Sequence, residues 1–526
     1  MNGRRIVRAL CALGMGCALL QRADVARANG RYPQAMQLAE DPSNAQRLWL
    51  RTTYGLIVSP DRGASWSWIC EDALGFDPNG IFDPMFGVHA DGTVVLGLQA
   101  GLGRSTNGGC DWQSAVPALN DTFVHDVAVD PNDRRKSLAL SSQFDSSTLP
   151  NKYVTELWET TNNGANYTRI SRIESDHYTR TVDAAPSNPN RVYLSGSVIN
   201  LEDFNAPLVG IVLRSDNRGQ SWTRLSLPVA PGAEPYIAAV HPTNPDIVYV
   251  RTYAETPLEG GVGISAESVL LYTDNGGTSW RILLTRDAPM LGFALSPDGT
   301  QVLAGFGDEG APGKTLVAPA SAFGIWRSPA PNFDFQRVYD QKVSCLAWTP
   351  RDIFVCSRVE ETGFDLGVFT NSCPPVRPLF SKKRMNGPLA CASGSTTASR
   401  CTQSKFQNMC DTKLFCSSPN PGIDAGVCPE GGIFQDAGSG DASVTLDAGT
   451  GSPDASVSPD AGAPRDGGTG GSGGRNGSGG STSAVSASDP DTCTCMHAGR
   501  SGGTSPALLG GLVALGFGLL RRRSRA

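Results

Sequence analysis

The 526-residue sequence is poor in charge: Asp, Glu, Lys and Arg make up 18% of it and leave a net charge of −6. No basic stripe accompanies that balance, so nucleic acid is not an expected partner. Histidine is scarce. His89, His125, His177, His241 and His497 show no metal-ligand spacing, which argues against a metal centre. The chain has no P-loop, no dinucleotide fingerprint and no Gly-x-Ser-x-Gly elbow, so no cofactor is expected. What it has in quantity is 61 Gly, 36 Pro and 14 Cys. Gly and Pro at that level favour short strands, turns and flexible tracts over helices. The length predicts two to four domains, and the cysteines predict an oxidising compartment.

Both ends read as targeting segments. Residues 1–28 carry Arg4, Arg5 and Arg8, the apolar stretch Ala9–Leu20 and a small-residue exit at Ala26-Arg27-Ala28, the three parts of a signal peptide. Near the other end Pro506–Leu520 is uncharged and Arg521-Arg522-Arg523-Ser524-Arg525 follows at once. A helix of that length rises only ~23 Å, short of the ~30 Å hydrocarbon core, with its arginines on the cytoplasmic side. Cys493-Thr494-Cys495 lies upstream beyond a Gly/Ser spacer. This order, over residues 491–526, resembles the MYXO-CTERM sorting signal of myxobacterial surface proteins. The resemblance implies a short C-terminal transmembrane helix removed by a sorting protease. Cys493 and Cys495 are then the processing and attachment residues, and the product is held at the cell surface, on the outer membrane. The alternative is a plain tail anchor.

Between the ends a repeat runs through residues 30–380. Eight-residue segments have Ser or Thr first, Asp or Asn third, Gly fifth and an aromatic eighth. They are Ser59–Trp66, Ser105–Trp112, Thr160–Tyr167, Ser215–Trp222 and Thr273–Trp280, with a degenerate copy ending at Phe335. An Asp or Asn side chain can accept backbone N–H groups within such a turn, Gly supplies positive φ, and the aromatic packs between sheets. The motif resembles the Asp-box (BNR) repeat of sialidases, sortilin-type receptors, xyloglucanase-like hydrolases and photosystem assembly factors. An apolar-alternating segment ending in a turn recurs seven times, beginning at residues 34, 83, 123, 178, 234, 289 and 342. Four strands per repeat and seven repeats predict an all-β, seven-bladed β-propeller over residues 29–382. Its seventh blade lacks a box.

The first strand of each blade lines the channel of a propeller. Ala39, Val88, Ala128, Asp183, Ala239, Ala294 and Ala347 share one position on it, and five alanines suit a crowded axis. Where the same strands begin, Gln34, Asp83, Phe123, Tyr178, Glu234 and Lys342 form a polar, varied ring, with His125, Arg180 and Tyr236 two residues on. Asp83, His125, Tyr178, Arg180, Glu234, Tyr236 and Lys342 are the candidate ligand-binding residues; a solvated rim is the plain alternative. Sialidase chemistry needs an arginine cluster, a Tyr–Glu nucleophile pair and an acid, and here the ring offers one arginine. Other glycosidases need two carboxylates ~5–10 Å apart, for which Asp83 and Glu234 are the candidates. The expected function is a non-enzymatic binding module for a protein or polysaccharide, with glycoside hydrolysis and a purely structural role as alternatives.

The cysteines beyond the signal divide further. Cys345 and Cys356 flank a hairpin centred on 350/351 and predict a cross-strand bridge. Cys70 and Cys110 are candidates to link blades one and two. Cys373, Cys391, Cys401, Cys410, Cys416 and Cys428 suggest a disulfide module, with residues 383–430 beside or after the last blade; their pairing is open. Residues 431–490 hold 16 Gly, 11 Ser and 7 Asp, too little apolar surface for a core, which predicts a disordered linker.

Overall fold

A computed structural model describes residues 32–416, apart from 77–82, 148–150, 204, 259–262, 309, 311–314, 371 and 413. The signal peptide, Cys428, the linker, and the C-terminal segment with Cys493 and Cys495 lie outside the described residues. Seven four-stranded sheets follow one another along the chain, each made of four consecutive strands paired in order. The inner strands are Ala35–Asp41, Met85–Val88, Val124–Val129, His177–Ala185, Glu234–Val240, Met290–Leu295 and Cys345–Trp348. Each contacts the next, and the inner strand of blade seven contacts that of blade one, so the ring closes. The fold is a seven-bladed β-propeller. No helix among the described residues is long and apolar enough to cross a membrane.

Because each sheet is sandwiched between two others, its strands are apolar on both faces. In the second strand of blade one, Leu48, Trp49 and Leu50 are all buried in succession. The axis is crowded. Ala239, Ala294 and Ala347 are fully buried, and a Cβ on Gly292 would stand 3.0 Å from the backbone nitrogen of Leu346 in the next blade. Asp183 breaks the alanine column and is only half-buried.

The eight-residue turns join third to outer strands, and five of them share one network. The first-position hydroxyls of Ser59, Ser105, Thr160, Ser215 and Thr273 donate to the side-chain oxygens of Asp61, Asn107, Asn162, Asn217 and Asn275 at 2.9–3.2 Å. Each hydroxyl also accepts the N–H of the fifth-position glycine. Each third-position oxygen accepts the N–H of the seventh residue at 2.8–3.0 Å. The fourth position is left-handed as well as the fifth: Arg62, Asn163 and Arg218 have φ of 52°, 55° and 56°. In blade six Ser328 accepts the Asp334 N–H instead. In blade seven the Thr370 N–H reaches Pro375 O, and Cys373 beside it is disulfide-bonded.

Arginines of this face bridge adjacent blades. Arg62 donates to Glu40 of blade one at 2.8 Å and to Asp352 of blade seven at 2.5 Å. Arg218 of blade four pairs with Glu159 of blade three, and Arg191 of blade four with Asp246 of blade five.

The segment after the last blade corrects the cysteine expectation. Cys70 and Cys110 do not pair with each other. Cys70 bonds Cys401 and Cys110 bonds Cys391, across 331 and 281 residues. Both cysteines sit on the outer side of their blades, where residues 385–416 dock. Pro388 bridges the outer strand of blade one (Ser67–Ile69): Trp68 N–H donates to Gly387 O, and Leu389 N–H to Trp68 O. Thr397 reaches Cys110 O and Gly109 O in blade two. The helices Thr396–Arg400 and Gln403–Asp411, capped by Ser395 and Thr402, lay Phe406 against Trp68. Cys410 bonds Cys416 within the segment, and Cys345 bonds Cys356 in register inside blade seven. Buried Lys382, just past the last strand, donates to Pro33 O near the chain's first described residues and to Glu360. The described part of this segment is therefore a strap from blade seven onto blades one and two, with most of its bonds made to the propeller.

Candidate functional site at the channel mouth

The inner strands begin at the face opposite the eight-residue turns, and three consecutive blades bring their leading side chains into contact there. In blade three the His125 Nε2–H donates to Ser142 O at 2.9 Å. Its Nδ1 is hydrogen-bonded to the Tyr178 hydroxyl of blade four at 3.1 Å. In blade four Arg180 donates to Glu234 Oε1 of blade five at 2.8 Å, both side chains being buried. Tyr236, on the same strand as Glu234, donates to Glu234 Oε2 at 3.0 Å. Arg251, paired with Tyr236 on the second strand of blade five (Val248–Pro257), stacks over the Tyr236 ring at 4.6 Å and donates to Met290 O of blade six.

The electrostatics make this a rigid foundation. Burial opposes the charge on Arg180, but Glu234 and the two phenols beside it more than offset that, and its pKa lies above the ordinary arginine value. Burial raises the Tyr236 phenol well above its usual range, so it stays protonated as a donor. Both oxygens of Glu234 are engaged inside the protein. A buried pair of this kind contributes orientation more than net stability.

Above that foundation runs a row of rings. Phe123 lies 3.9 Å from His125, His125 4.8 Å from Tyr178, Tyr178 5.5 Å from Tyr153 and Tyr153 5.3 Å from Phe144, centroid to centroid. Phe123, Phe144 and Tyr178 are half-buried. Tyr153 is buried, and burial pushes its phenol up to about 12. Phe144 and Tyr153, which face each other across the hairpin of blade three's second and third strands, were not among the residues expected from the sequence. Neither was Arg251. Alternation through Lys152–Thr160 was the available signal, since it turns Tyr153 to the face occupied by Tyr178.

The remaining predicted residues stand apart from this cluster. Asp83 is buried just before the inner strand of blade two. Gln34 is buried and turns inward, its Nε2 on Met36 Sδ. Lys342 pairs with Asp308 and Glu361 over the Phe323 ring at the seam of blades six and seven. Glu234 and Asp83 are not joined by any contact among the described residues. No group of acidic, His or Cys side chains suited to a metal occurs among the described residues. Two clefts lie elsewhere: one holds Asp183, Glu159 and Arg218 on the turn face, the other Lys152, Glu174 and Asp176 on the rim of blades three and four.

No protein-family model matches this chain, and no curated protein matches it. Solved structures do. A GH74 enzyme of Niastella koreensis aligns at 14% identity over 66% of this chain and 78% of its own, with a TM-score of 0.24. YCF48 from Cyanidioschyzon merolae aligns at 14% over 62% and 92%, with a TM-score of 0.33. Saccharomyces cerevisiae Sqt1 aligns at 10% over 69% and 91%, with a TM-score of 0.41. Similarity at this level concerns the fold and says nothing of what this chain does.

Proposed function

We propose that this is an exported cell-surface protein whose propeller is a non-enzymatic binding module, with its ligand platform at the channel mouth of blades three to five. The five equivalent turn networks support reading the repeats as Asp-boxes. The N- and C-terminal segments support export and sorting to the surface, with the Gly/Ser/Asp tract as spacer. The observation that carries the binding reading is the ring row Phe123–His125–Tyr178–Tyr153–Phe144 above the Arg180–Glu234 pair. A row of half-buried rings suits the apolar faces of successive sugar units. A polysaccharide is therefore favoured over a protein here. A glycan array on the wild type and Tyr178→Ala tests this: a hit lost in the variant supports the platform, and an array equally bound by both removes it.

Glycoside hydrolysis is the second reading, and the Tyr236–Glu234 contact beside Arg180 is what favours it. Against it, Tyr236 is buried and held protonated, and Glu234 already accepts one hydrogen bond on each oxygen. Glycan hydrolysis that disappears in Glu234→Gln or Asp83→Ala would restore that reading.

A further inference from the structure

On most of this surface an arginine at a blade seam has a carboxylate. Arg62, Arg180, Arg191 and Arg218 each pair with one from a neighbouring blade. The outer groove between blades five and six departs from that pattern. The outer strand of blade five (Arg281–Arg286) carries an extra residue at Leu283, because Leu270 and Leu271 of the neighbouring strand pair with Leu284 and Ile282. The bulge turns both end residues toward blade six. Arg281 lies over Tyr272 and over Phe333 of blade six, each at 5.7 Å. Arg286 lies over Trp326 of blade six at 4.8 Å, and Arg337 covers the same indole at 5.5 Å. Arg337 donates only to the carbonyls of Phe323, Ala320 and Asp340, and Arg286 to Thr285 O. The nearby carboxylates of Asp334 and Asp340 accept from Gln336 and Gln341. Burial and the facing Arg337 together lower the pKa of Arg286, outweighing Asp287. Three stacked guanidinium groups with no salt bridge among the described residues therefore line this seam of a net acidic protein.

Apolar surface adjoins them: Phe333 and Phe335 of blade six stack with parallel planes, both half-buried. The strand Arg281–Arg286 is the last of its sheet, so its outer backbone edge has no strand partner. The same molecule shows how such an edge is filled: Gly387–Leu389 lies along Trp68 at the outer edge of blade one. Stacked arginine beside half-buried aromatic rings is a composition found at protein-binding hot spots. A strand edge is met by another backbone, and the unpaired guanidinium groups call for carboxylates. We propose that the groove between blades five and six docks an extended, carboxylate-rich peptide segment of a partner protein along the edge of Arg281–Arg286. This surface is separate from the mouth platform, and the two stand or fall independently.

The test uses the full chain and a fluorescent decapeptide of alternating Glu and Val, with Lys/Val decapeptide and polygalacturonate as comparisons, followed by anisotropy at low salt. The Glu/Val peptide binds, the Lys/Val peptide does not, and Arg281→Gln with Arg286→Gln weakens binding about tenfold or more. Arg337 is left in place because it anchors three carbonyls. In the unmodified protein, peptide binding slows amide exchange across residues 281–286. Undiminished binding to the double variant, no slowing of exchange at that strand, or polygalacturonate binding in place of the peptide would each overturn the proposal.

Discussion

The two faces of this propeller are built by opposite rules. On the turn face five blades repeat one hydrogen-bond network, down to which hydroxyl accepts which glycine N–H. At the mouth no two blades carry the same leading side chains: blade three brings Phe123 and His125, blade four Tyr178 and Arg180, and blade five Glu234 and Tyr236. A turn must close in the same way wherever it occurs, so selection for folding makes copies of it. The leading residues of the inner strands have no such common task and are free to differ. Repetition on one face marks what holds the ring, and variety on the other is where the proposed binding platform lies.

That contrast can be broken by substitutions that move stability on one face and binding on the other. The largest stability effect is expected from Cys110→Ser with Cys391→Ser, which frees the second turn from the strap. With Cys70–Cys401 intact, the loop this bridge closes in the unfolded chain is only about 50 residues, so on chain-entropy grounds the loss is about 4 kcal/mol, measured by denaturant unfolding, with ligand binding at the mouth retained. Gly277→Val comes next. Its φ of +88° disfavours any side chain, and a Cβ there would meet Leu225 Cδ1 at 2.3 Å, so a loss of about 3–4 kcal/mol is expected.

The acid sensitivity of the turn face follows from His89. Its Nδ1–H donates to Arg134 O at 2.7 Å, and burial lowers its pKa to about 4. In the unfolded chain the same group titrates near 6.5, so between those values the unfolded state holds more protons. Stability therefore falls as pH drops from about 6.5 to about 4, by up to about 3 kcal/mol. His89→Gln should flatten that part of the profile, and an unchanged slope would remove His89 as its cause. Asn217→Ala removes one copy of the turn network, at about 1–2 kcal/mol. Smallest in stability, at about 1 kcal/mol, is Tyr178→Ala at the mouth, where ligand affinity drops tenfold or more. A Tyr178→Ala protein that binds normally but unfolds early would erase the distinction between the faces.

How much of this was legible in the sequence differs by face for the same reason. Five copies of the turn and seven of the inner strand are enough to count blades, since each copy restates the same constraint. The left-handed fourth position was hidden because Arg62, Asn163 and Arg218 disguise it; Gly108 and Gly276 at the equivalent places were the clue. At the mouth the inner-strand residues could be named, and those of blades three to five do meet. Phe144, Tyr153 and Arg251 were out of reach because their height on the blade depends on hairpin registers that differ between blades. The facing of Cys345 and Cys356 follows from one short hairpin. The partners of Cys70 and Cys110 do not, because nothing local says that a segment some three hundred residues later returns to blade one.

The strap also sets the path of mechanical load. Tension applied to the chain beyond Cys416 reaches Cys401 and crosses to Cys70, at the outer edge of blade one. Residues 71–400, which contain blades two to seven, form a loop closed covalently by that bridge. A proteolytic nick in a surface loop between the same two cysteines would leave both fragments attached. The Cys70–Cys401 bridge thus gives the segment after the last blade a covalent route into blade one, at the opposite end of the propeller's chain.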